Sequence, residues 1–229
     1  MAIKAIFFDL FETLITEFAD GRRMSNRKHD YEKLLGLTHE QFRREWTLRQ
    51  DRRMNGAFAS FPDVLRDIVV SNRSSVNEEA IEELFQARLE EKRLPFRQIR
   101  PDIIELLETV QGMGLKVGLI SNCTSEEVGA WQDSELAPYF DDCVFSFEVH
   151  CSKPDAAIYA LACSRLEVLP EESVFVGDGG SNELEGARRA GLHACHAFWF
   201  NTYIGSEFVK LASPSEVLNV LRACVIKAN

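Results

Sequence analysis

Residues 173–200, SVFVGDGGSNELEGARRAGLHACHAFWF, contain the pattern that decides the fold of this chain. SVFVGD is typical of a buried strand, NELEGARRAG predicts a helix, and HACHAFWF predicts a second strand. Strands that are apolar throughout and alternate with helices indicate a parallel sheet that helices cover on both faces.

The same alternation extends back to Pro101. The segments PDIIELLETVQGMG, SEEVGAWQ and KPDAAIYALACSRL predict helices, and LKVGLIS and CVFSF predict the strands between them. Near the start of the chain, IKAIFFD (residues 3–9) predicts one more buried strand, which ends in Asp9. The predicted fold class is α/β, with a Rossmann-like, three-layer α/β/α core and a parallel sheet, formed by residues 1–15 and 100–229.

Residues 16–99 have a different character and predict an inserted α-helical domain. They hold 16 Lys+Arg against 15 Asp+Glu, whereas the rest of the chain holds 10 against 21. THEQFRREWTLRQDRRM (residues 38–54) predicts a helix with Thr38 as its N-cap and Gln41 completing a capping box. VNEEAIEELFQARLEEKRL (residues 76–94) predicts a second helix with one apolar face.

Bulk composition narrows the class of protein and its partners. Hydrophobic residues make up 45% and charged residues 27%, as in ordinary globular domains. No apolar run approaches the roughly 18 residues of a membrane span, and the start, MAIKAIFFD, is too short for a secretory signal. The six cysteines lack the spacing of a zinc site, so we expect a cytoplasmic protein with reduced thiols and no membrane contact. The net charge of −10 argues against nucleic acid as a partner.

Polar residues stand at the ends of four predicted core strands. Asp9 ends the first strand, Ser121 and Asn122 end the second, Lys153 follows the third and Asp178 ends the fourth. Each residue alone is explained by a helix cap or a turn. Ligands of open parallel sheets bind beyond the carboxyl ends of the strands, so the set together indicates a site for anion or metal chemistry.

Four motifs carry a resemblance to a known family. DLFET (residues 9–13), LISN (119–122), SKPD (152–155) and VFVGDGGSNELEGARRAG (174–191) resemble, in this order, the haloacid dehalogenase superfamily. The resemblance covers essentially the whole predicted core. It implies that the helical insertion, residues 16–99, is the superfamily's mobile cap domain.

The resemblance also implies roles for the residues at the strand ends. Asp9 would be the nucleophile that forms a covalent aspartyl intermediate. Ser121, with Asn122 beside it, would bind the transferred group or a substrate carboxylate. Lys153 would neutralise the negative charge that Asp9 and an anionic substrate bring together.

A magnesium site is the second implication of the resemblance. Mg²⁺ would be held by the carboxylates of Asp9 and Asp178 and by the main-chain carbonyl of Phe11, since it prefers hard oxygen ligands. Either Asn182 or Glu183 would orient metal-bound water from the second shell of the site. Thr13 would close the turn of the nucleophile loop.

The first motif departs from that of the superfamily's phosphatases, which reads Asp-x-Asp-x-Thr. Phe11 stands where the second Asp would protonate the leaving alkoxide and then deprotonate the attacking water. Loss of a positioned general acid costs about 10²–10⁴-fold in rate. The superfamily's 2-haloacid dehalogenases carry an aromatic residue here, because halide leaves without a proton, and Phe11 resembles them.

Two further features bear on that likeness to dehalogenases. The pair Gly177–Asp178 preserves a metal-binding carboxylate that those enzymes usually lack, because they need no metal. Those enzymes also carry an arginine in the cap that contacts the substrate carboxylate. Five arginines are candidates for this role here, but a place on a solvated helix face accounts for most of them. These candidates are Arg43, Arg44, Arg49, Arg52 and Arg53.

Three hypotheses of function therefore remain. The first is a Mg²⁺-dependent hydrolase that acts through Asp9 on a small anionic substrate with a good leaving group, of the activated phosphate type. The second is a metal-independent 2-haloacid dehalogenase. The third is a non-catalytic binding or regulatory module on the same fold. We expect a monomer or a homodimer, and the sequence identifies neither the substrate nor the cap residues that contact it.

Overall fold

The structure, a computed structural model, describes residues 2–25 and 29–226 and contains one large parallel sheet. Six strands form it in the order β5–β4–β1–β6–β7–β8, while β2 and β3 form a separate antiparallel pair. The strands are β1 (Ala5–Phe8), β2 (Phe18–Ala19), β3 (Arg22–Arg23), β4 (Lys116–Ser121), β5 (Asp142–Phe145), β6 (Ser173–Gly177), β7 (His193–Ala197) and β8 (Val209–Leu211). The predicted parallel sheet is confirmed.

The described residues form ten α-helices and five short 3₁₀ helices. The α-helices are α1 (Tyr31–Leu35), α2 (His39–Leu48), α3 (Gln50–Met54), α4 (Phe61–Ser71), α5 (Glu78–Arg93), α6 (Pro101–Gly112), α7 (Ser146–Val149), α8 (Ala156–Arg165), α9 (Glu183–Arg189) and α10 (Ser215–Ile226). The 3₁₀ helices are Pro95–Arg97, Ser125–Glu127, Ala137–Tyr139, Pro170–Glu172 and Gly180–Asn182. Within residues 2–25 and 29–226, no helix has both the length and the apolar character that crossing a bilayer requires.

The strand order places a switch point at the centre of the sheet. β1 pairs with β4 on one side and with β6 on the other. The chain moves outward from β1 to β4 and β5, and then crosses back to add β6 to the opposite side of β1. Ligands of open parallel sheets bind at such a reversal, beyond the carboxyl ends of the strands. Asp9 and Asp178 are the first residues after β1 and β6.

Alternate residues of β1 enter two apolar layers on opposite faces of the sheet. Ile6 and Phe8 pack in the layer that contains α6 and α10. Ala5 and Phe7 pack in the layer that contains α8 and α9. Because successive side chains of a strand point to opposite faces, a strand buried on both faces must be apolar throughout. The predicted three-layer core is confirmed.

The helices α1, α2, α4 and α5 share an apolar cluster of their own, which includes Leu65, Ile68 and Ile81. The predicted capping box is confirmed, because the main-chain N–H of Gln41 donates to Thr38 Oγ1 and Gln41 Oε1 accepts from the N–H of Thr38. The single helix predicted over residues 38–54 is divided into α2 and α3. The bounds 16–99 for this helical domain remain a prediction.

The helix predicted for SEEVGAWQ is wrong. Only Ser125–Glu127 is helical, as a 3₁₀ turn, and the following residues form further turns. The N–H of Trp131 donates to the carbonyl of Val128, a separation of three residues instead of the four of an α-helix. Trp131 is 2% exposed and packs in the main core, so burial of its ring favours these turns over a regular helix.

A cluster of buried charges joins α5 to the core, and we call it the ion cluster (Arg88, Lys92, Glu17, Glu126 and Glu127). Arg88 lies 2.7 Å from Glu126 and 3.0 Å from Glu127. Lys92 lies 2.9 Å from Glu127 and 2.6 Å from Glu17, which precedes the helices. Burial opposes the charged form of Glu127, but Lys92 and Arg88 outweigh it and lower the pKa of Glu127 well below its ordinary value.

Two glycine-to-alanine substitutions should change stability in opposite directions. A Cβ atom at Gly118 of β4 would lie 2.4 Å from the ring of Phe7, its partner in β1, so Gly118→Ala should lower the free energy of unfolding by about 1–3 kcal/mol. A Cβ atom at Gly112, in the last turn of α6, meets nothing within 4 Å. Gly112→Ala should therefore raise the free energy of unfolding by up to about 1 kcal/mol. Urea unfolding measures both values. An unchanged midpoint for Gly118→Ala would contradict the tight packing of β4 against β1.

Candidate active site

The ends of β1 and β6 bring two carboxylates to the switch point. The N–H of Asp9 donates to the carbonyl of Val176 at 2.9 Å, so the chain leaving β1 stays attached to β6. Asp9 is 6% exposed and Asp178 is 8% exposed. A carboxylate is rarely buried to this degree without a paired charge or a ligand.

Lys153 supplies the paired charge. Its Nζ atom lies 2.5 Å from Asp9 Oδ1 and 2.5 Å from Glu183 Oε2. Asn122 fixes the main chain of Lys153 from both sides: the Asn122 Nδ2 group donates to the Lys153 carbonyl at 2.8 Å, and the Lys153 N–H donates to Asn122 Oδ1 at 2.8 Å. Asn122 therefore holds Lys153 in place, and its amide group is occupied by that contact.

Burial and mutual repulsion shift the acidities of these groups. Burial, together with repulsion from Asp9, raises the pKa of Glu183 to about 8. The pKa of Asp9 is raised as well. Burial is the largest cause of this shift, and the nearby Lys153 opposes it. Burial disfavours the ammonium form of Lys153, but the two carboxylates outweigh it and raise the pKa of Lys153. Lys153 therefore stays protonated, while Glu183 can hold a proton near neutral pH.

Short main-chain contacts orient Asp178 and Glu183. The N–H of Gly180 donates to Asp178 Oδ1 at 2.8 Å, and the N–H of Gly179 donates to Glu183 Oε1 at 3.1 Å. A Cβ atom at residue 177 would lie 2.2 Å from Glu183 Oε1, so this close approach requires Gly177.

Three of these carboxylates form a group that suits a divalent cation. Asp9, Asp178 and Glu183 offer oxygen atoms that all lie within 4.8 Å of one another. With all three carboxylates ionised and Lys153 protonated, the four groups carry a net charge of −2 (three negative, one positive), and the proton that Glu183 holds near neutral pH reduces this to −1. Buried carboxylate oxygens with excess negative charge fit Mg²⁺. The part assigned to the main-chain carbonyl of Phe11 remains a prediction.

The predicted nucleophile loop (residues 9–13) is held at several points. Thr13 Oγ1 donates to Asp9 Oδ2 at 3.2 Å, and the Thr13 carbonyl accepts from Trp199 Nε1 at 2.8 Å. Glu12 adopts a left-handed backbone conformation with φ of 58°. Phe11 is half-buried, and the Lys92 ammonium of the ion cluster lies 5.4 Å from the centre of its ring. The position at which the superfamily's phosphatases carry their second Asp is thus occupied by a phenyl ring, with a lysine ammonium group beside it.

The other predicted residues differ in their placement. Ser121 is fully buried at the end of β4, and its Oγ atom has no hydrogen-bond partner among the residues that the structure describes. Asn182 is exposed and lies at the start of α9, whereas the neighbouring Glu183 contacts Lys153. Of the two alternatives for the second shell, the structure brings only Glu183 into the carboxylate group.

Three residues of the site were missed from the sequence. Asn201 Nδ2 donates to Asp178 Oδ2 at 2.7 Å, and Trp199 binds the nucleophile loop from the same segment. Tyr159 donates its hydroxyl hydrogen to the carbonyl of Glu183 at 2.7 Å. The first two follow β7, whose carboxyl end lies on the same edge of the sheet, so the reasoning about strand ends could have included them.

Comparison with known proteins identifies the family. The family model described as haloacid dehalogenase-like hydrolase matches residues 3–191. The chain therefore belongs to the haloacid dehalogenase-like hydrolases, as the motifs predicted, and is a hydrolase.

Relatives of both chemical types are similar to this chain. A phosphorylated carbohydrates phosphatase of Thermotoga maritima is 33% identical over 150 residues, which cover 61% of this chain and 69% of the relative. An (S)-2-haloacid dehalogenase of a Pseudomonas species is 32% identical over 103 residues, 44% of this chain and 41% of the relative. The crystal structure of a 2-haloacid dehalogenase from Pseudomonas syringae pv. Tomato shares the fold, with a TM-score of 0.70, 21% identity and coverage of 96% and 99% of the two chains.

The raised pKa of Glu183 predicts a pH dependence of stability in chelator. Folded Glu183 keeps its proton up to a pH of about 8, whereas the unfolded residue releases it near its ordinary value of 4.5. The free energy of unfolding should therefore fall as pH rises from about 5 to 8, and Glu183→Gln should reduce that fall by roughly 1–4 kcal/mol. Denaturant titrations across this range provide the measurement.

Glu185→Gln is the matched control for this experiment. Glu185 pairs with Arg188 on the same helix, and that contact lowers the pKa of Glu185, so its titration lies below the tested range. The control should keep the slope of the unmodified protein. An equal slope in the Glu183→Gln variant would contradict the assigned pKa.

Proposed function

We propose that this haloacid dehalogenase-like hydrolase is Mg²⁺-dependent and transfers a phosphoryl group from a small, activated phosphate first to Asp9 and then to water. One observation carries the proposal: three buried carboxylates, Asp9, Asp178 and Glu183, lie within 4.8 Å of one another with one lysine between two of them. A metal-free site for an anionic substrate would gain nothing from this excess of negative charge. A site for a divalent cation and a phosphoryl group requires it.

In the first step, an oxygen of Asp9 attacks the phosphorus and forms a P–O bond. The bond from phosphorus to the leaving oxygen breaks, and the leaving group departs with that electron pair. Lys153 lies 2.5 Å from Asp9 Oδ1 and offsets the repulsion between the carboxylate and the phosphate. The buried hydroxyl of Ser121 is available to donate to a phosphoryl oxygen.

In the second step, water attacks the phosphorus of the aspartyl phosphate. The P–O bond to Asp9 breaks, Asp9 is released as a carboxylate, and the water loses its proton to the phosphate product or to solvent. Mg²⁺, when bound, would supply positive charge that stabilises the phosphoryl oxygens in both steps. Thr13 and Lys153 hold the two oxygens of Asp9, so the carboxylate keeps its orientation throughout.

Phe11 restricts the range of substrates. The phenyl ring cannot protonate a departing alkoxide, and a positioned general acid contributes about 10²–10⁴-fold to such reactions. An acyl phosphate releases a carboxylate, which leaves without a proton. We therefore infer activated phosphates, in preference to ordinary phosphate monoesters, as the substrate class.

A 2-haloacid dehalogenase is the second candidate, and Phe11 is the observation that favours it. The relative in Pseudomonas named as such a dehalogenase and the shared fold are consistent with it. The carboxylates of Asp178 and Glu183 favour the first candidate, because a metal-independent site would bring the haloacid carboxylate to them with no divalent cation to offset the added negative charge.

Turnover of acetyl phosphate tests the proposal. We expect Mg²⁺-dependent release of phosphate, and a loss of at least about 10³-fold in kcat for Asp9→Asn, because the amide cannot act as the nucleophile. Chloride release from 2-chloropropionate, with and without chelator, should stay at background. Chloride release that survives chelation and is lost in Asp9→Asn would replace the first candidate with the second.

Thermal unfolding tests the metal site independently of activity. Mg²⁺ should raise the Tm of the unmodified protein, since a ligand of the folded state stabilises it, and chelator should reverse the shift. Asp178→Asn, which removes one carboxylate but keeps its shape, should reduce the shift. An equal shift in both proteins would place the cation elsewhere.

Phe11→Asp should extend the substrate range to phosphate monoesters. It restores an acid where a proton is needed, so kcat/KM for an alkyl phosphate should rise by at least about tenfold relative to acetyl phosphate. Phe11→Leu is the matched control and should not change that ratio. If Phe11→Asp leaves the ratio unchanged while acetyl phosphate is still hydrolysed, Phe11 does not limit the substrate range.

A further inference from the structure

Asn201 is a buried residue whose side-chain amide is only half satisfied. It is 4% exposed and lies in the segment after β7 that also supplies Trp199. Its Nδ2 group donates to Asp178 Oδ2 at 2.7 Å, whereas its Oδ1 atom has no hydrogen-bond partner among the residues that the structure describes. Leaving a buried polar atom unsatisfied costs about 1–3 kcal/mol, so we expect this oxygen to have a partner in the working protein.

The charge of Asp178 determines which atom of the amide is left over. An ionised carboxylate only accepts hydrogen bonds, so the amide must present its Nδ2 group to Asp178. Exchange of the two amide atoms would bring two acceptor oxygens together. The unpaired atom of Asn201 is therefore the oxygen, and its partner must be a proton donor or a cation.

Covalent geometry keeps this oxygen close to the carboxylates of the site. Nδ2 and Oδ1 are bonded to the same carbon and lie about 2.2 Å apart, so Asn201 Oδ1 lies within about 5 Å of Asp178 Oδ2. The oxygen atoms that Asp9, Asp178 and Glu183 offer to a cation lie within 4.8 Å of one another. The amide oxygen is thus held to Asp178 within about the same span.

Neither the protein nor the proposed substrate supplies a donor for this oxygen. Within residues 2–25 and 29–226 no donor reaches it, and the ammonium group of the site, Lys153, is paired with Asp9 and Glu183. The oxygens of an ionised phosphoryl group are acceptors and would repel it. A divalent cation would be attracted to it, because carbonyl oxygens are ordinary ligands of hard cations such as Mg²⁺.

A neutral ligand also suits the electrostatics of the site. Each further carboxylate would lower the net charge of the site by one, and the site must still attract a phosphoryl group that is itself negative. An amide oxygen can bind the cation without adding negative charge.

We infer that Asn201 Oδ1 is a further oxygen ligand of the divalent cation, beside the carboxylates of Asp9 and Asp178. The Asn201 amide N–H holds Asp178 Oδ2, while Asp178 Oδ1, which accepts the N–H of Gly180, keeps a lone pair for the ion. The inference rests on the proposed Mg²⁺ dependence and deepens it, because it adds a neutral ligand from the segment after β7 to those that follow β1 and β6.

Calorimetric titration of Mg²⁺ into the full chain, without substrate, measures the contribution of Asn201. Asn201→Leu removes the oxygen and should raise the Kd for Mg²⁺ by about tenfold or more, since loss of even an outer-shell contact typically costs about 10–100-fold in affinity. Asn201→Asp keeps an oxygen at the same place and should bind Mg²⁺ at least as tightly as the unmodified protein. Thr202→Asp is the control for added charge, because Thr202 is the exposed neighbour, and it should keep the unmodified Kd.

A cysteine at the same position tests whether the side chain reaches the ion. A thiolate bound to Co²⁺ gives a charge-transfer absorption band in the near ultraviolet, so Asn201→Cys should show this band when Co²⁺ is added. Thr202→Cys is the matched control. Neither this control nor the unmodified protein, which has cysteines of its own, should show the band.

The outcomes separate this inference from the proposed function. Failure of the unmodified protein to bind Mg²⁺ would overturn both. Binding of Mg²⁺ with equal Kd by the unmodified protein and Asn201→Leu would overturn the inference alone. A loss in Asn201→Asp as large as that in Asn201→Leu would also overturn it, because Asn201 would then act only through the N–H that it donates to Asp178. If Asn201→Leu fails to fold, Co²⁺ that binds Asn201→Cys without the band overturns the inference.

Discussion

One buried ammonium group is the constraint on which the site depends. Lys153 lies 3% exposed between the carboxylates of Asp9 and Glu183, which follow the neighbouring strands β1 and β6 at the same edge of the sheet. Two buried carboxylates so close together would repel each other and favour protonation, and the ammonium group between them offsets that repulsion. Removal of one partner of a buried ion pair leaves an uncompensated charge, so this ammonium group also matters for the stability of the fold.

Several other contacts follow from that constraint. Asn122 fixes the main chain of Lys153, Tyr159 fixes the carbonyl of Glu183, and Gly177 leaves room for the Glu183 side chain. Tyr159, Gly177 and Glu183 lie on α8, β6 and α9, and Asn122 directly follows β4, so separate parts of the core meet at one edge of the sheet. Packing in the core thus positions the groups that hold Lys153 and Glu183.

The sequence was most informative about the residues at the carboxyl ends of the strands. Apolar strands that finish in polar residues predicted the parallel sheet and brought Asp9, Lys153 and Asp178 to one edge, because strand direction alone determines that edge. Contacts between residues far apart in the chain could not be predicted from the sequence. Nothing in the sequence assigns Asp67 to Arg49 or Glu126 to Arg88, since these partners lie 18 and 38 residues away. The turns after Ser121 were also missed, because burial of Trp131 outweighs the local preference for a helix.

The ion cluster has a consequence for how the two parts of the molecule separate. The apolar cluster of the helical domain is internal to it, so parting the domain from the core would not divide that cluster. The contact between α5 and the core instead contains Arg88, Lys92, Glu126 and Glu127, and these ions regain hydration when they are parted. Water thus competes for the ions on both sides of this contact, so parting it costs less free energy than parting an apolar contact of the same size.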